Sequence, residues 1–70
     1  MLTNQRQVRR AFWQWVDEFK PTGVSRRKIA AYDGAGKMYN TDTRCAFCDW
    51  LDAEDKRGNV ASGLADRATL

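Results

Sequence analysis

Cys45 and Cys48, spaced as Cys45-Ala46-Phe47-Cys48, are the pair in this 70-residue chain that most resembles reactive chemistry. A structural zinc site takes four nitrogen or sulfur ligands. The chain has two cysteines and no histidine, so one copy cannot close such a site, although two copies could pool four thiolates across a dimer. A redox C-x-x-C sits at a helix start in a strand-helix-strand setting, and that setting is missing here. On a helical projection both thiols lie toward the polar side, so the expected state is two reduced cysteines on a partly exposed helix face. Asp49, Asp52 and Asp55 share the outer face of the same helix. Paired carboxylates can do acid–base work or hold a metal, but without histidine or a recognisable pocket a solvated acidic face is the expectation. Asp33-Gly34-Ala35-Gly36 lacks the glycines and the Lys-Ser/Thr pair of a phosphate-binding loop and reads as a turn. No catalytic residue, metal ligand or cofactor is assigned, and the chain is expected not to be an enzyme.

The remaining chemistry is that of binding. In the stretch Asn4 to Phe19, Val8, Ala11, Phe12, Trp15 and Phe19 fall on one face at helical spacing, with Val16 at its edge. Trp13 projects about 160° from Trp15 on that wheel, onto a face with Arg6, Arg9, Arg10 and Asp17. Tryptophan and arginine are the side chains most enriched among binding hot spots. Arg6, Arg9, Arg10 and Trp13 are therefore candidate partner-binding residues. The competing reading is a Trp13 shielded by arginines through cation–π stacking, or covered by the chain's own C-terminal segment. Arg26-Arg27-Lys28 completes the candidate set, as a contact for phosphates or for an acidic protein surface; the plainer reading is a solvated entry to a strand.

These residues need a scaffold. Thr3 or Asn4 caps the first helix, and Pro21 with Gly23 ends it. Residues 25–40 carry two short runs, with Ile29, Ala31, Tyr32, Met38 and Tyr39, around the glycine-bearing turn, which reads as a β-hairpin. Thr41 or Asp42 caps a second helix that runs to about Arg57 before Gly58. Phe47, Trp50 and Leu51 face its core side, with Ala46 and Thr43 in support, and Glu54 reaches the rim or meets an arginine. Ser62 caps a short third helix over residues 63–68. The expected fold is a single α+β domain over residues 1–70, in the order α-β-β-α-α, with the helices on one face of the hairpin. The expected core is Val8, Phe12, Trp15, Phe19, Phe47, Trp50 and Leu51, with Ile29 and one tyrosine from the hairpin, and Val60, Leu64 and Leu70 closing the end.

Composition fits that picture. At 43% hydrophobic with eight aromatic residues the chain can build a small core, but a domain this short buries only roughly 60% of its unfolded surface. No apolar run approaches a membrane span and no secretory h-region opens the chain, so a soluble cytoplasmic protein without membrane contact is expected. Residues 1–40 hold eight basic and three acidic side chains, and residues 41–70 hold four basic and six acidic ones. The front is basic and the back acidic, as internal complementarity or as a surface for an acidic partner.

The back of the chain also carries a recognisable string: Tyr39-Asn40-Thr41-Asp42-Thr43-Arg44, Ala46-Phe47, Asp49, Asp52, Gly58, Ser62, then Leu64-Ala65-Asp66-Arg67-Ala68-Thr69-Leu70. Over residues 39–70 it resembles small bacteriophage-encoded accessory proteins, in which an apolar residue takes the place of Glu54. The resemblance implies a phage accessory role and supplies neither reaction nor ligand. Two functions are carried forward. One is a non-enzymatic phage accessory protein that binds and modulates or inhibits a host bacterial protein of defence or transcription. The other is a small nucleic-acid-binding module using the basic first helix and Arg26-Arg27-Lys28, although no helix-turn-helix or zinc-finger pattern is present. A homodimer stays open.

Overall fold

The computed structural model describes residues 1–31, residue 34 and residues 36–70. Helix α1 runs Gln5–Phe19. Asn4 is its cap: the side-chain oxygen accepts from the Gln7 N–H at 2.9 Å, and the Gln7 side chain accepts in return from the Thr3 N–H at 2.7 Å. One orphan amide of the first turn is thereby satisfied, and the residue before the cap is tied to the helix. The helix stops at Lys20, which leaves the right-handed region (φ 48°, ψ 56°) as Pro21 approaches.

Helix α1 is rolled relative to the expected stripe. Val8, Phe12 and Val16, spaced four apart, are the buried residues, and Trp15 is only half-buried. Phe19, expected in the core, is 63% exposed; it sits on the last turn with its ring 5.9 Å from Trp15. The reason is the position of the partner helix. Helix α2 (Thr41–Lys56) lays Phe47, Trp50 and Leu51 around Phe12, with the Phe47 and Trp50 rings 5.2 and 5.6 Å from the Phe12 ring, both edge-on. Phe12 is fully buried at the centre of this cluster, and α1 turns to put it there.

The hairpin is present and short. Strands β1 (Ile29–Ala30) and β2 (Lys37–Met38) pair antiparallel, Ile29 opposite Met38 and Ala30 opposite Lys37. Part of the expected turn, with Tyr32, Asp33 and Ala35, lies outside the described residues. Ile29 does not join the core and is 39% exposed. Two paired residues per strand make no continuous apolar face for the helices to cover. Tyr39, just past β2, packs against Trp13.

Helix α2 is capped by Asn40, one residue ahead of the expected Thr41 and two ahead of Asp42; its Oδ1 accepts from the Thr43 N–H at 2.7 Å. The helix end agrees with expectation, with Gly58 in the left-handed region at φ 77°. Glu54 meets Arg57 at 3.0 Å and also accepts from the Asn59 side chain at 2.8 Å, so its 18% exposed side chain is paired. Helix α3 is shorter than expected, Leu64–Arg67, and Ser62 does not cap it: Gly63 holds the cap position in a left-handed conformation, with no side-chain hydrogen bond. Leu64 is buried against the main cluster.

Two long-range stitches close the domain. Leu2 forms a parallel bridge with Val60: its N–H donates to the Asn59 carbonyl and its carbonyl accepts from the Ala61 N–H, each at 2.8 Å. The segment entering the hairpin is tied to α2 through the fully buried Thr43, whose hydroxyl accepts from the Ser25 N–H at 2.9 Å and donates to the Ser25 carbonyl at 3.3 Å. Among the described residues, no helix is long and apolar enough to cross a membrane.

Candidate functional site

Of the Arg26-Arg27-Lys28 triplet, Arg26 reaches the Trp13 side of α1, in an unexpected arrangement. Trp13 does not stand free among Arg6, Arg9 and Arg10. It is half-buried, edge-on to Phe12 at 4.9 Å and tilted on Tyr39 at 5.4 Å. Arg26, brought back from the loop, lies over its ring at 5.0 Å. The connection into the hairpin folds over this side of α1, which a helical wheel of α1 alone cannot show. The cation–π shield is thus real, and its donor is Arg26 rather than an arginine of α1.

Arg26 is itself fixed. Its guanidinium donates to both oxygens of Asp17, at 2.6 and 2.8 Å, and to the Trp13 carbonyl at 3.3 Å. The hydrogen bond from Arg26 holds the Asp17 carboxyl below the usual carboxylate range. This planar fork on a carboxylate is the geometry for which arginine is suited. Arg26 therefore serves to position the loop and cover Trp13. Arg6, Arg10 and Arg27 are exposed. Arg9 is half-buried and donates to the Thr69 carbonyl at 3.2 Å and the Gln5 side chain at 3.5 Å, holding the C-terminal segment against α1.

Lys28 leads into a feature that no single stretch of sequence displays. Its ammonium lies 5.1 Å from the centre of the Tyr39 ring, at the edge of a groove of about 430 Å³. Three parts of the chain build the groove: the hairpin with Lys28, Lys37, Met38 and Tyr39; α2 with Arg44, Phe47 and Cys48; and residues 68–70. Its floor is apolar and its rim carries three cations, with no carboxylate side chain among the described lining residues. Lys37 and Arg44, absent from the sequence-based set, belong to it. Their signal was weak, since each is a single basic residue on a different element.

The two cysteines are exposed and unpaired with each other; Cys48 faces the groove and Cys45 is not among its lining residues. The outer aspartates of α2 are exposed, with Asp52 paired to Lys56 at 3.0 Å. That hydrogen bond raises the Lys56 ammonium above its ordinary range. Compared with known protein families, with characterised proteins and with solved structures, the chain matches none.

Proposed function

We propose that this chain is a non-catalytic binding protein that docks its basic flank on an acidic surface of another protein. The observation that carries the reading is the groove: two cations on the hairpin side and one on α2 line a mostly apolar surface. Cations at the rim attract and orient an acidic partner, and the floor supplies the apolar burial that holds it. The resemblance of residues 39–70 to phage accessory proteins suggests a bacterial host protein as the partner and the host cytoplasm as the setting.

A nucleic acid is served less well by the same flank. Single strands bind where bases stack on open aromatic faces along a cationic track. Here Arg26 lies over the Trp13 ring and Lys28 over the Tyr39 ring, and the outer face of α2 carries Asp49, Asp52 and Asp55. The test uses the immobilised protein in bacterial lysate, with and without nuclease, beside direct titrations with single- and double-stranded DNA. The expected result is a captured protein that persists after nuclease and elutes with salt, while DNA binds no tighter than the roughly 10⁻⁴–10⁻⁶ M of non-specific association at physiological salt. Submicromolar DNA binding, or capture abolished by nuclease, overturns the proposal.

A further inference from the structure

We infer that the groove between the hairpin, α2 and the C-terminal residues is the seat of a short acidic segment of the partner protein, one that carries an aromatic or large aliphatic anchor. The inference rests on the proposed protein-binding function and names what is recognised. At about 430 Å³ the groove is at the lower end of ligand-sized cavities. It therefore takes one or two large side chains, not the whole face of a helix. Met38 and Leu70, with the small exposed part of Phe47, supply the apolar surface for that anchor.

The charges are distributed, with Lys28 and Lys37 on the hairpin side and Arg44 on α2. Cations contributed by two elements suit more than one carboxylate along a chain, beside the anchor. Arg44 adds a planar fork suited to a carboxylate. The third wall is held in place from behind, since Arg9 grips the Thr69 carbonyl at 3.2 Å. Arg9 is thus a positioning residue for the seat, and the basic α1 face is coupled to the groove through it.

The chain carries its own reporter. Cys48 faces the groove, while Cys45, three residues earlier on the same helix and also exposed, does not. The probe is a blocked octapeptide of glutamate and aspartate with a central Phe-Leu pair. Its controls are the same peptide with that pair replaced by serines, and an oligothymidylate of equal charge. Alkylation of each cysteine by iodoacetamide is followed by mass spectrometry. With the acidic-apolar peptide at about ten times its dissociation constant, alkylation of Cys48 should slow about tenfold by mass action, with Cys45 unchanged. The serine peptide should protect far less, and Lys37→Glu with Arg44→Glu should abolish protection. Both residues are exposed, and circular dichroism checks that the double variant is folded. Equal rates at Cys48 with and without the peptide, or equal protection by oligothymidylate, overturn the inference. A protein captured from nuclease-treated lysate that still binds the double variant overturns the seat and leaves only protein binding by another face. Nuclease-sensitive capture together with absent protection overturns both.

Discussion

Arg26 makes three contacts with one guanidinium: the Asp17 carboxylate, the Trp13 carbonyl and the Trp13 ring. Both charged partners are more than half exposed, so the pair adds little stability by itself; its effect is to fix where the loop lies. The pairing has a pH signature. The Asp17 carboxyl is lowered in the folded protein by the hydrogen bond from Arg26. Its contribution is therefore present above the ordinary carboxylate pKa and lost as pH falls through the lowered value. An NMR titration should place the Asp17 midpoint below the ordinary carboxylate range, and Arg26→Gln should return it there; an ordinary midpoint in the parent would exclude the contact. The shielded residue follows the same logic. Trp13 packs on Phe12 and Tyr39, so Trp13→Ala should destabilise the domain by about 1–3 kcal/mol, less than a fully buried aromatic because part of the ring already meets solvent. Urea melts decide it. An unchanged midpoint with weakened partner binding would instead make Trp13 a free interface anchor.

Among the elements, α2 is the organiser, and Thr43 is where it grips the rest. The hydroxyl serves both the N–H and the carbonyl of Ser25 in a fully buried position, while Asn40 caps α2 and donates to the Gly23 carbonyl at 3.0 Å. Gly23 is required there: its φ is 83° and an added Cβ would collide with the Asp42 carboxylate. Thr43→Val keeps the shape and removes the hydroxyl, leaving two backbone groups of Ser25 without that partner. A loss of about 1–3 kcal/mol in denaturant melts is expected, with Thr43→Ser closer to the parent. A Val variant as stable as the parent would mean water reaches Ser25. Much of this scaffold was legible beforehand. Helical periodicity and the Asn, Pro and Gly signals marked α1 and α2 to within a residue or two, and the glycine-bearing turn marked the hairpin. The roll of α1, the exposure of Ile29, the choice of Arg26 as the arginine covering Trp13 and the Leu2–Val60 bridge were not legible, because each depends on a partner distant in sequence. The groove was hidden for the same reason: Lys28, Lys37, Arg44 and Leu70 become neighbours only when three segments converge.

The molecule as a whole is a flat body, 36 × 25 × 16 Å. Its short dimension leaves room for little more than one helix, about 10 Å across, and a layer of side chains. Such a shape concentrates burial in few residues, and Phe12 is the one that touches most of them: Phe47, Trp50, Trp13 and Trp15 all lie with ring centres within 6.0 Å of it. Total stability for 70 residues is expected at about 4–10 kcal/mol. Phe12→Ala, at about 3–5 kcal/mol for a buried aromatic, should remove a large share of it. Phe19→Ala should change stability by no more than about 0.5 kcal/mol, as for an ordinary surface site, because the residue is 63% exposed. The two residues stand seven apart on the same side of α1 and a sequence pattern treats them alike, so the comparison isolates the roll of the helix. Equal losses in chemical denaturation would place α1 with Phe19 turned inward and dissolve the flank built beside it. A large difference fixes the orientation of α1, and with it the side on which Arg9 holds the C-terminal wall of the groove. The acidic-apolar peptide should then stabilise Phe12→Ala by about 2.7 kcal/mol at one hundred times its dissociation constant, since a ligand of the folded state adds to stability by mass action even where the core has been weakened.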